Sequence, residues 1–167
     1  MTKYIYIIGY PLGHSISPVF QQAAFDHLHL DICYQAQEIK SEQLEIAAEQ
    51  LRQPSALGAN ITVPYKERVM PLLDDVYEFA RDIGAVNTIV NREGRLIGYN
   101  TDADGFMWAL RQEGKFDPQG KKAVVLGAGG VARAAGFMLT KAGVCSLAIT
   151  DIIPGRAEAL VSGLKPS

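Results

Sequence analysis

Cysteine is scarce. The two present, Cys33 and Cys145, lie far apart, each inside an apolar, strand-like run. They form neither a metal-ligand spacing nor a disulfide framework, which fits a reducing, cytoplasmic setting. An excess of charge of one sign is also missing. Lysine and arginine total 16, aspartate and glutamate 18, and the net charge is −2 with no block of like charges. That argues against a nucleic-acid surface and for a small-molecule or protein partner. Long apolar runs are absent too. The N-terminus enters Tyr4-Ile-Tyr-Ile-Ile8 with only Lys3 as a preceding charge. This run is too short for a membrane span and lacks a signal-peptide layout. No internal repeat and no low-complexity tract occurs. What is present is 48% hydrophobic and 20% charged residues over 167 positions, enough core for one ordinary domain or two small ones.

Strand-like and helix-like stretches alternate. Tyr4 to Gly9 reads as a buried first strand, broken by Gly9-Tyr-Pro-Leu-Gly13 and a polar loop, His14 to Ser17. Pro18 suits the first turn of a helix running to about Leu28, with Ser17 as its cap and Phe20, Ala23, Ala24 and Leu28 on its apolar face. Ile32 to Ile39 is a second strand. Ser41 then caps a helix, Glu42 to Arg52, with Leu44, Ala47, Ala48 and Leu51 as its buried stripe. Pro54 and Gly58 punctuate before a strand over Ala59 to Val63, which Pro64 stops. A helix from Val76 to Ile83 ends at Gly84. Val86 to Asn91 and Leu96 to Tyr99 form a hairpin around Glu93-Gly94, and Thr101 or Asp102 opens a helix to about Glu113. This order predicts an α/β fold with a mostly parallel sheet. The polar stretch Lys115 to Lys121 marks the expected boundary between residues 1–113 and 114–167.

Beyond that boundary, Ala123 to Leu126 reads as a buried apolar strand, followed by Gly127-Ala-Gly-Gly-Val-Ala132, a helix to about Ala142, and a strand from Ser146 to Thr150. Gly127, Gly129 and Ala132 fit G-x-G-x-x-A in the strand–loop–helix context of a dinucleotide site. The first glycine allows the tight turn, and the second lets backbone N–H groups approach a pyrophosphate. The helix N-terminus favours the phosphate charge. Asp151, at the tip of the next strand, would accept from an adenosine ribose and repel a 2′-phosphate, which favours NAD over NADP. Arg156 points the other way, since a nearby arginine can hold that phosphate. In its structural role, Asp151 would cap the last helix.

A second polar set falls at strand ends: Ser15 and Ser17, then Asn60, Thr62 and Lys66, then Asn87, then Asn100-Thr-Asp102. Ligands of α/β proteins gather at the carboxyl ends of strands. Each residue also has an ordinary reading: helix caps for Ser17 and Asp102, turn bonds for Asn87 and Asn100, and a solvated side chain for Lys66. Converging, they offer hydroxyls, amides, one ammonium and one carboxylate. That set suits a small polyhydroxylated ligand and a proton transfer, since a partly desolvated lysine near a carboxylate can act as an acid/base.

Five ordered blocks carry a family resemblance: Gly9-Tyr-Pro-Leu-Gly-His-Ser-Ile-Ser-Pro18, Asn60-Ile-Thr-Val-Pro-Tyr-Lys66, Gly84-Ala-Val-Asn-Thr88, Gly98-Tyr-Asn-Thr-Asp102 and Gly127-Ala-Gly-Gly-Val-Ala-Arg133. With these the chain resembles the shikimate dehydrogenase family over essentially its whole length. The resemblance implies reversible NAD(P)-dependent reduction of 3-dehydroshikimate to shikimate, on the route to chorismate and aromatic amino acids. It implies Lys66 as catalytic acid/base and Asp102 as its partner. Ser15 and Ser17 would hold the substrate carboxylate, with Thr62, Lys66, Asn87 and Asp102 around the ring hydroxyls, and Asn60 would shape the turn that positions them. Gly127, Ala128, Gly129, Gly130 and Val131 would bind pyrophosphate, and Asp151 and Arg156 the ribose end. No metal is implied, and the oligomeric state stays open.

The chain departs from the family pattern twice. NADP-specific members carry an Asn-Arg-Thr-like run where this chain has Asp151-Ile-Ile. NAD-preferring relatives often accept quinate, so a quinate/shikimate dehydrogenase is the alternative, although Ser17 stands where quinate users tend to have threonine. Second, only the first half of a two-part dinucleotide fold is present. The expectation is therefore an N-terminal portion that is inactive by itself or acts only as a binding module. Another two-domain NAD(P) enzyme, of the methylenetetrahydrofolate dehydrogenase type, accounts for neither the paired serines nor Asn-Thr-Asp.

Overall fold

The computed structural model describes residues 2–164 of the chain. The chain divides into two compact units, one of Met1–Glu78 with Val86–Tyr99, the other of Phe79–Ala85 with Asn100–Ser167. The composition-based boundary lies at residues 113/114, whereas this division by contacts assigns residues 100–113 to the second unit.

The first unit is built on a six-stranded sheet in the order β2-β1-β3-β5-β6-β4. Its strands are β1 (Lys3–Gly9), β2 (Ile32–Glu38), β3 (Ala56–Ile61), β4 (Asp75–Val76), β5 (Thr88–Arg92) and β6 (Arg95–Tyr99). β1 runs parallel to both β2 and β3, and β4 parallel to β6, while β5 is antiparallel to β3 and β6. The antiparallel β5–β6 pair is the hairpin expected around Glu93-Gly94. β4 has two residues and no pattern in the sequence to announce it. Gly58, expected as a break, lies inside β3.

Two helices of this unit differ in what they bury. α2 (Leu44–Gln50) covers Leu44, Ala47 and Ala48, with Leu51 just beyond it, as its 3.6-residue stripe predicts. Ser41 does not cap it: a 3-10 turn over Ser41–Gln43 comes first, and Gln43 Oε1 accepts from the Lys40 N–H at 2.8 Å. α1 (Ser17–His27) buries no residue, and the expected apolar face is the exposed one, with Phe20 52% and Leu28 62% exposed. The helix is held by its other side. The Tyr34 N–H donates to Gln22 Oε1 at 2.8 Å, Gln22 Nε2 donates to the Ile32 carbonyl at 3.1 Å, and Phe25 packs on Tyr34. A strand edge that needs hydrogen-bond partners thus outweighs the apolar spacing on α1.

In the second unit, α3 (Glu78–Ile83, all but its first residue in this unit) leads to Ala85, and α4 (Asp102–Trp108) continues as a π-helical turn over Ala109–Glu113. β7 (Lys122–Leu126) and β8 (Ser146–Thr150) form a parallel two-stranded sheet, with α5 (Gly130–Lys141) between them and α6 (Arg156–Gly163) after them. The core is small and tight: Ile83, Ala85, Ala103 and Ala134, joined by Phe79, Phe137 and Met138. Phe79 and Phe137 meet edge-on with ring centroids 5.5 Å apart. β7 is not the buried strand its apolar run predicts. α5 covers one face, and Val124 and Leu126 on the other stand 69% and 81% exposed. Among the described residues, no helix is long and apolar enough to cross a membrane, and no group of His, Cys, Asp and Glu could hold a metal ion.

Candidate active site

Strand direction gathers the polar residues of the first unit at one sheet edge. β1 and β3 are parallel, so their carboxyl ends lie side by side, with Ile8 paired to Ile61. β5 is antiparallel to β3 and brings its start, next to Asn87, to the same edge, where β6 also ends at Tyr99. Backbone bonds extend this ladder: Thr62 N–H to Ile8 O at 2.9 Å, Ile61 N–H to Asn87 O at 2.8 Å, and Asn87 N–H to Tyr99 O at 3.0 Å. Gly9 sits against Thr62 so closely that an added Cβ would stand 2.3 Å from Thr62 Cγ2. Only glycine permits that approach.

The serine loop is pinned to this edge. Leu12 is buried, and its N–H donates to Glu38 Oε2 at 2.6 Å. The Tyr10 N–H reaches the Val63 carbonyl at 2.9 Å, and the Ser15 N–H reaches the Leu12 carbonyl at 2.8 Å. Ser15 and Ser17 are half-buried. Ser17 is the first helical residue and not the cap. Ile16 holds the cap position with no side-chain bond, and the Ser17 N–H lies 3.4 Å from Ser15 Oγ.

Lys66 is 8% exposed, and Asn87 and Asn100 are 9% and 6% exposed. Among the described residues these three are, tyrosines aside, the buried polar or charged side chains. The solvated reading of Lys66 therefore does not hold. Its backbone is fixed by the Val86 N–H, which donates to the Lys66 carbonyl at 2.8 Å. Its neighbour Tyr65 is buried, with the phenol donating to the Ile39 carbonyl at 2.6 Å. Asn60 does not shape a turn. It lies within β3, where its Oδ1 accepts from the Tyr34 phenol at 2.7 Å and its Nδ2 faces Thr88 Oγ1 at 3.4 Å. Thr88 Oγ1 in turn donates to Asn87 Oδ1 at 3.0 Å. Tyr34, Thr88 and Glu38, which hydrogen-bond to these segments, carry no signal in the sequence, where Tyr34 reads as one more strand aromatic.

In the second unit, Asp102 is the first residue of α4 and half-buried, with Thr101 at the cap position. Asn100 supplies a capping oxygen. Its Oδ1 accepts from the Ala103 N–H at 3.2 Å while its Nδ2 donates to the Ala85 carbonyl at 2.9 Å. The glycine loop opens on Gly127 with φ +104°, and its N–H reaches the Thr150 carbonyl at 2.7 Å. Gly129 caps α5, which begins at Gly130, so the first-turn N–H groups of the helix face outward there. Added Cβ atoms at Gly127 and Gly129 would meet nothing within 4 Å. The loop thus has the open approach and the helix N-terminus that a pyrophosphate requires. Ala128 is buried and Val131 exposed.

Asp151 does not cap α6, whose cap position is Gly155. Its Oδ1 accepts from the Ile153 N–H at 2.8 Å and its Oδ2 from the Ala128 N–H at 2.7 Å. These two backbone donors, helped by Arg156, hold its carboxyl below the usual carboxylate range. Arg156, at the start of α6, is exposed.

Comparison with known proteins bears on both units. The family model described as the shikimate dehydrogenase substrate binding domain matches residues 7–89. The shikimate dehydrogenase (NADP(+)) of Symbiobacterium thermophilum is 49% identical over 158 residues, covering 95% of this chain and 53% of that protein. The crystal structure of shikimate 5-dehydrogenase from Thermus thermophilus in complex with NADP(H) and shikimate is 38% identical with a TM-score of 0.85, covering 98% of this chain and 61% of that one. The Listeria monocytogenes shikimate 5-dehydrogenase in complex with shikimate and NAD is 35% identical with a TM-score of 0.85, covering 98% of this chain and 57% of that one. The chain spans a little over half the length of the curated relatives it matches.

Proposed function

Because this chain belongs to the shikimate dehydrogenase family, we propose that it provides the substrate half of an NAD(P)-dependent oxidoreductase interconverting 3-dehydroshikimate and shikimate. That reaction lies on the route to chorismate and aromatic amino acids, and a cytoplasmic setting fits it. Residues 1–113 form the substrate-binding, catalytic part and 114–167 open the nucleotide domain. Lys66 is the acid/base, delivering a proton to the carbonyl oxygen on reduction and taking it back on oxidation. Asp102 is its carboxylate partner. Ser15 and Ser17 bind the substrate carboxylate, and Thr62 and Asn87 the ring hydroxyls. The observation that carries this reading is the burial of Lys66, 8% exposed at a strand-end edge that also holds Asn87. Exposed lysines are common and buried ones are not, so a lysine held at the strand ends among polar side chains stands out as a site residue.

Gly127, Ala128, Gly129, Gly130 and Val131 form the pyrophosphate loop, in which the Gly127 and Ala128 N–H groups are held by Thr150 and Asp151 and Gly129, Gly130 and Val131 face the ligand, with Asp151 and Arg156 at the ribose end. When bound, the nicotinamide supplies the hydride for reduction and accepts it for oxidation. NAD is the favoured cofactor, because Asp151 stays ionised beside the loop and repels a 2′-phosphate. The curated relatives carry NADP(+) in their names, so the two cofactors are the two arms of a test.

The first test follows the backbone amides and the Asn87 side-chain amide of the 167-residue chain by NMR during titration with shikimate and with quinate. Saturable shifts centred on Ser15, Ser17, Lys66 and Asn87, stronger for shikimate, are expected. No saturable shift with either acid overturns the substrate assignment. Turnover by the 167-residue chain alone is expected to be negligible, and robust turnover would contradict the division of labour. In a form extended to the relatives' length, tighter NADP than NAD binding would remove the cofactor preference. Saturable binding without turnover in that form would leave a binding module.

A further inference from the structure

We propose that Tyr34, Asn60 and Thr88 are positioning residues for Asn87: a directed hydrogen-bond relay running across three strands fixes which end of the Asn87 amide is oxygen. The proposal rests on the substrate-binding role assigned to Asn87 above. The relay begins at the Tyr34 phenol on β2, which donates to Asn60 Oδ1 on β3 at 2.7 Å. β1 lies between those strands, so the tyrosine crosses two strand spacings, roughly 10 Å, to reach its acceptor. From Asn60 the chain passes through Nδ2 to Thr88 Oγ1, its direct cross-strand partner on β5, and from the Thr88 hydroxyl to Asn87 Oδ1. Every link has one donor and one acceptor, so the direction at the first link sets the direction at the last.

The start of the relay is fixed independently of the substrate. Tyr34 is 6% exposed, packs with Ile7 and Leu12, and touches the Phe25 ring. Burial pushes its phenol up to about 12, so it keeps its proton, and can donate, throughout the physiological range. The same tyrosine is therefore a core residue for the serine loop, through Leu12, and an orienting group for Asn87. An amide whose oxygen is committed to Thr88 presents N–H as its other polarity. That N–H can serve either a hydroxyl oxygen or a carbonyl oxygen, whereas a flipped amide, offering oxygen, could serve only a hydroxyl. The consequence is a site matched to both redox forms of a polyhydroxylated ring.

The experiment uses Tyr34→Phe, Thr88→Val and Thr88→Ser in the 167-residue chain. Three readouts are taken: the Asn87 side-chain amide resonances, shikimate affinity, and urea unfolding. Tyr34→Phe lies three links from Asn87 and is the decisive variant. It is expected to shift or broaden the Asn87 amide pair and to weaken shikimate binding about 5- to 10-fold, the factor for one net hydrogen bond. Thr88→Val should do the same, and Thr88→Ser, which keeps the hydroxyl, should restore both. If Tyr34→Phe lowers stability but leaves the Asn87 resonances and the affinity unchanged, the relay is refuted and Tyr34 is a packing residue. If the unmutated chain binds no shikimate, the substrate reading fails, while the Asn87 resonances still decide the relay. Should Thr88→Val fail to fold, Tyr34→Phe and Thr88→Ser carry the comparison.

Discussion

Alkaline pH should destabilise the fold through Tyr34 by a calculable amount. The ordinary phenol value is 10.0 and burial raises it to about 12. The folded chain therefore holds this proton where the unfolded chain has released it. The resulting stability is fully present below pH 10 and is lost as pH rises through the folded value. Raising the phenol from 10.0 to about 12 corresponds to about 2.7 kcal/mol once both values are passed, and to about 1.4 kcal/mol at pH 11. Against a typical total of 5–15 kcal/mol this is a visible fraction. Tyr34→Phe removes the titration but also removes the bond to Asn60, which costs about 1–3 kcal/mol because it leaves the Asn60 oxygen without that donor. The parent should thus be more stable at pH 8, and its advantage should shrink by about 1.4 kcal/mol at pH 11. Urea unfolding by circular dichroism at pH 8, 9, 10 and 11 on both chains measures this difference. The chain has seven tyrosines, and burial also raises the Tyr6 phenol, but both chains share these groups and they cancel in the comparison. Two stability curves parallel within about 0.5 kcal/mol across this range would refute the buried-phenol account.

Lys66→Met in a form extended to the relatives' length should lower turnover by roughly 10²–10⁴-fold while changing shikimate affinity much less, as loss of a positioned acid/base does. An unchanged turnover number takes Lys66 out of the mechanism. Asp151→Asn should move the NAD-to-NADP affinity ratio toward NADP by removing the charge that meets a 2′-phosphate, and an unchanged ratio means Asp151 only orders the glycine loop. Because the Asp151 carboxyl is depressed, the loop order it supports should persist above the ordinary carboxylate range and fade as pH falls below it. Asn100→Ala should cost about 1–3 kcal/mol in urea unfolding, since it removes both the buried bond to Ala85 and the bond to Ala103 at the start of α4. A cost below about 0.5 kcal/mol would show that Asn100 is not the cap.

Much of the architecture was legible in local patterns. The α2 stripe, the Glu93-Gly94 hairpin and the strand–glycine loop–helix–strand order are set by interactions between near neighbours in the chain, so spacing announces them. Caps are less legible, because several polar residues near each helix start can all supply an oxygen. Sequence does not say whether Asn100 or Asp102 points at the first turn. The buried face of α1 is illegible for a related reason. Its apolar spacing is real, but Gln22 and Phe25 meet β2, and the backbone of β2 needs a donor and an acceptor more than the helix needs to bury Phe20.

The candidate site divides the same way. Residue type and strand-end position alone nominated Lys66, Asn87 and the two serines, because Pro64, the polar serine loop and the neighbouring glycines mark where strands stop. What only the tertiary structure decided is who supports them. Strand order β2-β1-β3-β5 places Tyr34 two strands from Asn60, and antiparallel β5 sets Thr88 opposite that asparagine. Those pairings join positions 34, 60 and 88, which no local periodicity links. They arise from the non-sequential order in which strands find their neighbours, and hydrogen bonds then read out that order as a fixed orientation of Asn87.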